Sequence, residues 1–335
     1  MGDALEREGF NVAGFVQSTP SFVSAGGRPI HSWIDLPSTA REGQLALGVF
    51  NREMPYDSLV ALANGAGFAV VHMPWDIYAL VGHRLGWRYW LAAPQFLRQM
   101  ASRLHDVEAR LADEASRATF RRIIRFRSGE DLDYASFRNN EEQYFNELTL
   151  GDDRVAKGCF VDCGAFDGDT YLRFLECRPD GERAVLLEPD AENYRQLVKR
   201  TARSGKDLMC LPLAVADQTR TLRFAASSGE SSTLDPGGEV SVQAVSLDEL
   251  LAAQRVGFLK LDVEGGENDA LAGAKTIIGR DRPVIAMSLY HRPEDLWVLP
   301  ETLFLLCADY RFYVRQHYFN SFDCVLYAIP ERQRV

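Results

Sequence analysis

Two kinds of hydrophobic pattern divide the chain near residue 150. From Phe160 onward, short apolar runs rich in Val, Leu and Phe alternate with amphipathic stretches. Phe160-Val161-Asp162 and residues 184–187, 208–211, 256–261, 284–287, 311–315 and 324–328 read as strands; residues 170–177 and 191–200 read as helices. Strands that alternate with helices imply parallel pairing in an α/β sheet. No helical pattern separates the last two runs, which predicts an antiparallel hairpin at one sheet edge. Ser246-Leu247-Asp248-Glu249 has the form of a capping box that opens a helix before the 256–261 strand. Residues 219–224 and 240–245 read as further strands inside an insertion.

The first half is patterned differently. Residues 3–8 read as a helix, and residues 11–16, 45–50 and 68–72 as strands, with a loop holding Gly26 and Gly27. This is an α/β unit in clipped form, because no strand and glycine turn precede its first helix. Residues 96–124 form a long, Arg-rich amphipathic helical region that connects the halves. The expected organisation is an incomplete Rossmann-like domain over 1–92, a helical connector over 93–150 and a cofactor-binding domain over 151–335.

Composition narrows the class. The 335 residues are 46% hydrophobic and 25% charged, close to the globular average. That length has a two-domain prior. With 37 Lys+Arg against 47 Asp+Glu the net charge is −10, which argues against a general nucleic-acid binder. Met1-Gly2-Asp3-Ala4-Leu5-Glu6 shows no secretory pattern. The longest stretch free of charged residues, 58–75, holds Asn64, Gly65, Gly67 and Pro74 and does not read as a membrane span. Cys159, Cys163, Cys177, Cys210, Cys307 and Cys324 form no C-x-x-C pair and read as reduced thiols. A cytoplasmic location is expected.

The chemistry concentrates at Phe160-Val161-Asp162-Cys163-Gly164-Ala165-Phe166-Asp167-Gly168-Asp169-Thr170. An acidic residue ends a strand, two glycines allow a sharp turn and close approach, and a helix follows. Ala184-Val185-Leu186-Leu187-Glu188-Pro189 then places a carboxylate at the end of the second strand, where ribose hydroxyls can be held. The G-x-G-x-x-G pyrophosphate loop is absent. Asp162, Asp167 and Asp169 make the turn acidic, which suits a cationic ligand such as the sulfonium and amino end of S-adenosylmethionine.

These motifs continue in order. Leu213-Ala214-Val215-Ala216-Asp217, Ser231-Ser232, Val245-Ser246-Leu247-Asp248 and Phe258-Leu259-Lys260-Leu261-Asp262-Val263-Glu264-Gly265-Gly266-Glu267 follow the first two. With them, residues 159–329 resemble the FkbM family of S-adenosylmethionine-dependent methyltransferases. The resemblance implies a class I methyltransferase Rossmann-like sheet, mostly parallel with an antiparallel last strand. It implies that Asp162, Gly164, Ala165, Phe166 and Gly168 shape the methionine end, that Glu188 and Pro189 meet the ribose, and that Ala214 and Val215 border the adenine. Asn139-Asn140-Glu141-Glu142-Gln143-Tyr144-Phe145 resembles the family's lead-in, with Tyr144 over the cofactor or simply covering the sheet. Phe166 departs from the family, which has a small or amide residue there.

Lys260, Asp262 and Glu264 alternate at one strand end, facing the cleft or, for Lys260, making a salt bridge to a neighbouring carboxylate. Adjacent parallel strands bring His291 near Asp262. His291 titrates nearest neutrality and is the expected base for a hydroxyl proton. Asp262 and Glu264 would orient it; alternatively Asp262 and His291 share a divalent metal, Mg or Mn. The expected function is O-methylation of a sugar hydroxyl, on a glycan or nucleotide-linked sugar. Alternatives are a polyketide or peptide hydroxyl, with a more apolar acceptor site, or a non-catalytic cofactor-binding scaffold. The Arg121–Arg122–Arg125–Arg127 run is a solvated helix face or a phosphate contact. Residues 227–238 are a lid or a plain loop, and His317-Tyr318-Phe319-Asn320 line the acceptor or simply turn the last hairpin. A homodimer through the N-terminal or helical region is a further possibility.

Overall fold

The computed structural model describes residues 1–18, 20, 22–48, 54–133, 138–181, 183–225, 233–234 and 240–331. Continuous apolar runs in the second half become strands buried on both faces, as parallel sheets covered by helices require. They are β1 (Cys159–Cys163), β2 (Arg183–Leu187), β3 (Asp207–Leu211), β4 (Val256–Leu261), β5 (Val284–Ser288), β6 (Tyr310–Gln316) and β7 (Cys324–Pro330). Together they form a seven-stranded sheet in the order β6-β7-β5-β4-β1-β2-β3. β1 to β5 pair in parallel, whereas β7 lies between β5 and β6 and is antiparallel to both. The expected hairpin is therefore present, with its second strand inserted into the sheet rather than left at the edge.

Amphipathic stretches supply the covering helices α1 (Asp169–Cys177), α2 (Ala191–Thr201), α3 (Leu247–Leu250), α4 (Glu267–Ala272), α5 (Lys275–Asp281) and α6 (Asp295–Leu306). One core on this sheet gathers Phe145, Phe160, Phe174 and Phe258. Phe160 and Phe174 stack with ring centroids 4.5 Å apart. The capping box does not form as expected. Ser246 Oγ donates to the Gly273 carbonyl at 3.0 Å, and the Asp248 carboxylate instead caps α5, accepting from Thr276 and Ile277 N–H at 2.9 and 2.8 Å. A separate four-stranded sheet holds Ala214–Val215, Val240–Val245, Arg220–Ala225 and Thr233–Leu234. The remaining residues of the 227–238 lid expectation lie outside the described residues, as do Ser231 and Ser232.

Contacts divide the chain into two units: Met1–Ser102 with Arg121–Arg138 and Tyr318–Phe322, and Arg103–Phe120 with Asn139–His317 and Asp323–Val335. The division runs through the expected connector. Among the described residues its long helical stretch is broken into Pro94–Gln99, Ala101–Ala109 and Glu114–Arg127, with a further short helix at Glu147–Leu150. The last break is local: Asp113 accepts from Ser116 N–H at 2.7 Å and starts a new helix, while Ala112 N–H bonds the Phe312 carbonyl at 2.8 Å.

The first unit carries two small sheets in place of one continuous one. Leu45–Ala46 and Val71–His72 pair in parallel around the helix Tyr56–Gly65. Phe15–Gln17, Arg28–Ser32 and Ser24–Ala25 form the other. The glycine loop is thus a hairpin turn, with φ of +55° at Gly26 and +76° at Gly27, as a two-residue type I′ turn requires. Asn320 accepts Tyr56 N–H at 3.1 Å and donates to the Met54 carbonyl at 2.8 Å. In the basic run, Arg122 and Arg125 pair with Asp133 and Asp131, and Arg127 is buried beside Trp90. Among the described residues no helix is long and apolar enough to cross a membrane.

Candidate functional site

Strand register builds the site. Asp162 and Lys260 are direct partners across β1 and β4, so their side chains project on the same face. Lys260 Nζ lies 2.9 Å from Asp162 Oδ1 and donates to the Gly164 carbonyl at 2.7 Å. The ammonium also lies 5.5 Å from the Tyr144 ring centroid. Burial alone would drive the Lys260 proton off, but Asp162 and Asp262 outweigh it and hold the group charged. Burial pushes Asp162 up to about 6 against the pull of Lys260. Asp162 is wholly buried, so it shapes the glycine turn through Lys260 rather than by meeting solvent.

The turn folds onto Glu188. Gly164 and Ala165 N–H groups both bond the Leu187 carbonyl at 3.0 Å, and Phe166 N–H donates to Glu188 Oε2 at 2.9 Å. Glu188 Oε1 accepts from Asp190 N–H at 2.8 Å. Phe166 has a φ of +47°, uncommon for an aromatic residue, and that hydrogen bond helps to hold it. Gly164 has a φ of +82°, and a Cβ there would sit 1.9 Å from the Asp262 carbonyl oxygen. Gly168, φ +87°, precedes α1, and its Cβ would meet Leu197 and Thr201. Burial pushes the Glu188 carboxyl up to about 7, opposed by the two backbone donors. Of the three acidic groups expected to charge the turn, Asp162 faces Lys260 and Asp167 pairs with Arg200, so much of that charge is compensated internally. Pro189 is half-buried beside Glu188; Ala214 and Val215 are buried in the smaller sheet, paired with Ala244 and Val245.

At the carboxyl ends of β4 and β5 a second cluster forms. Leu261 pairs with Met287, which sets Asp262 beside Ser288. Asp262 Oδ1 accepts from Ser288 Oγ at 2.7 Å and Tyr290 Oη at 3.3 Å, and Oδ2 accepts from Tyr144 Oη at 3.0 Å. Burial opposes its ionisation, yet Lys260, His291, Ser288 and Tyr144 together keep the Asp262 carboxyl below the ordinary carboxylate range. His291 Nε2 stands 3.3 Å from Asp262 Oδ1 and 3.8 Å from Glu264 Oε1. Its Nδ1 lies 2.7 Å from Glu267 Oε1, which also accepts Val263 N–H at 2.8 Å.

Burial works against charge on the wholly buried His291 ring, but Glu267, Glu264 and Asp262 outweigh it and raise the group to about 10. Three residues of the cluster were not singled out from sequence: Ser288, Tyr290 and Glu267. Glu267 lay within the quoted motif, five residues after Asp262. Ser288 and Tyr290 flank a strand end and carry no pattern of their own; only register brings them to Asp262.

The strand order, the glycine turn after β1 and the acidic end of β2 define a class I methyltransferase fold. A crystal structure of methyltransferase FkbM from Methylobacillus flagellatus KT shares the fold, with a TM-score of 0.70 at 20% identity, over 90% of this chain and 78% of that one. Precorrin-6y C5,15-methyltransferase from Geobacter metallireducens GS-15 superposes with a TM-score of only 0.33 at 11% identity, over 60% of this chain and 97% of that one. No curated protein matches the sequence. Residues 162–320 match the family described as the methyltransferase FkbM domain.

Proposed function

We propose that the protein is an S-adenosylmethionine-dependent O-methyltransferase acting on a sugar hydroxyl of a glycan or nucleotide-linked sugar. The observation that carries this reading is the pairing of the Glu188-anchored glycine turn with a polar cluster at the carboxyl ends of β4 and β5. The donor set fits the cofactor. Each Glu188 oxygen accepts one backbone N–H, which leaves a lone pair on each for vicinal ribose hydroxyls. S-adenosylmethionine, when bound, supplies an electrophilic methyl on a sulfonium.

The chain's own groups do the rest. Lys260 holds the turn by its Gly164 carbonyl. Tyr144 and Ser288 fix the Asp262 carboxylate. The acceptor hydroxyl proton passes to the His291–Asp262 pair, 3.3 Å apart, with Glu264 beside it. Alignment of hydroxyl and sulfonium accounts for the larger share, ~7–11 kcal/mol, against ~10²–10⁴-fold for the base. A cluster of two tyrosines, a serine and carboxylates favours a polyhydroxylated acceptor over an apolar one.

The test is the unfolding transition with S-adenosylhomocysteine against NAD(H), followed by methyl transfer from labelled S-adenosylmethionine to sugar acceptors. At 100 times Kd a ligand adds ~2.7 kcal/mol, or ~5–10 °C at this size. A shift with S-adenosylhomocysteine that Glu188→Ala abolishes, with label on a sugar oxygen, is the expected result. A shift with NAD(H) alone overturns the cofactor reading. Binding without transfer to any hydroxyl, unchanged in Asp262→Asn, marks a scaffold instead.

A further inference from the structure

Residues 139–146, which lead to the site, form neither helix nor strand, so their backbone groups must find partners elsewhere. Four successive carbonyls find them on side chains. The Glu141 carbonyl oxygen lies 3.2 Å from His317 Nδ1, and Asn146 Nδ2 donates to the Glu142 carbonyl at 3.2 Å. Tyr327 Oη donates to the Gln143 carbonyl, and Thr149 Oγ1 donates to the Tyr144 carbonyl at 2.8 Å. Asn139 N–H adds a bond to the Gln316 carbonyl at 2.6 Å. Gln316, His317 and Tyr327 all belong to the last hairpin: Gln316 ends β6, His317 follows it and Tyr327 lies in β7.

Register explains why the hairpin reaches this segment. Tyr327 pairs with Ala286, Ala286 with Lys260 and Lys260 with Asp162. Directly opposed residues share a face, so these four side chains form one row across the sheet. Ala286 is small, which leaves room above the row, and Tyr144 packs in the same core as Ala286 and Tyr327. At the site end the donors run in one direction. Gln143 Nε2 donates to Tyr144 Oη at 3.0 Å, and Tyr144 Oη donates to Asp262 Oδ2 at 3.0 Å. A phenol has one proton; with Gln143 supplying a donor to its oxygen, that proton is directed to the carboxylate. Tyr327 is wholly buried and the His317 ring faces it through Nε2 at 2.7 Å, so both act on the site through Gln143 and Tyr144.

We propose that Tyr327 and His317 are positioning residues for methyl transfer: they lock the 139–146 segment so that Gln143 aims the Tyr144 hydroxyl at Asp262. The inference rests on the proton-accepting role of the His291–Asp262 pair proposed above. It gives His317 a task distinct from the two expected from sequence, lining the acceptor or turning the hairpin. It also gives Gln143, Tyr327 and the small Ala286 a common purpose, to seat one hydroxyl against one carboxylate.

The experiment joins a tyrosine signal to kinetics on the full chain. With ¹³C at the tyrosine ζ carbons, the Tyr144 resonance is the one lost in Tyr144→Phe. Tyr327→Phe should shift it, and so should Gln143→Leu, a half-buried position whose change leaves the hairpin intact. Each variant should lower kcat ~10–100-fold, as displacement by ~1 Å can, with KM for S-adenosylmethionine changed less than about twofold. In the Tyr144→Phe background, Tyr327→Phe should cause no further loss of kcat, because both act through one hydroxyl. His317→Gln, whose amide can still reach Tyr327, should retain more activity than His317→Ala. A Tyr144 resonance unmoved in Tyr327→Phe overturns the inference, as do losses that multiply in the double variant. If the unaltered protein methylates no hydroxyl, the proposed function fails, and the Tyr144 resonance decides the lock by itself: a shift in Tyr327→Phe supports it and no shift removes it.

Discussion

Lys260 and Asp162 show how one pair serves both packing and site. Buried charges are tolerated when they are paired, and removing one partner typically costs ~3–5 kcal/mol because the other is left uncompensated. Lys260→Met should therefore lower the unfolding free energy obtained from urea titration by about that amount, and also free the Gly164 carbonyl that the ammonium holds. Lys260→Met combined with Asp162→Leu should recover most of the loss, since no isolated charge remains. A double variant as unstable as the single one would mean that the hydrogen bond to Gly164, not the charge pair, is what matters. Of the two readings of Lys260 open in the sequence, the ion pair is the one the geometry displays. His291 shows the same competition: burial works against charge on its ring, while Glu267, Glu264 and Asp262 favour it and raise the group above the ordinary histidine value.

At the scale of elements, the glycine turn between β1 and α1 is set by contact rather than by flexibility. A side chain at Gly164 would enter the backbone after β4, 1.9 Å from the Asp262 carbonyl oxygen. Gly205 also has a positive φ, +67°, yet a Cβ there would meet nothing within 4 Å. Gly205→Ala should cost ~1–2 kcal/mol from backbone strain alone. Gly164→Ala should cost considerably more and abolish S-adenosylhomocysteine binding, because β4 must move away. Thermal denaturation of the two variants side by side checks this, and equal losses would refute the contact argument. The ends of elements were the least legible feature of the chain. The strand cores at 184–187, 208–211 and 256–261 followed from apolar runs, whereas the hairpin at Ser24–Ala25 and Arg28–Ser32 is polar, contains Pro29 and shows no alternation.

Across the whole molecule, stability should depend on pH through Glu188. Its carboxyl rises from 4.5 to about 7 on burial. The folded state thus favours the protonated form, and the contribution is complete below about 4.5 and lost as pH rises through about 7. At ~1.4 kcal/mol per unit, the difference between pH 4.5 and 7 is ~3 kcal/mol. Glu188→Gln should remove that part of the slope in urea unfolding measured at both pH values. Parallel slopes in the two proteins would show that the carboxyl is not buried as described. S-adenosylhomocysteine should counter the trend in the unaltered protein, since ribose hydroxyls donate to the ionised form.

Sequence alone determined the alternation of strands and helices, the parallel sheet with its antiparallel close, and the placing of Asp162, Glu188 and Asp262 at strand ends. These follow from local periodicity and from chain order, which one dimension records. Tertiary structure decided the insertion of β7 between β5 and β6, the pairing of Asp162 with Lys260, and the convergence of Ser288, Tyr290 and Glu267 on Asp262 and His291. It also gathered Glu267, Glu264 and Asp262 around His291, which raises the pKa of that ring against the effect of burial. Register between strands remote in sequence sets those neighbours, and no local pattern encodes it.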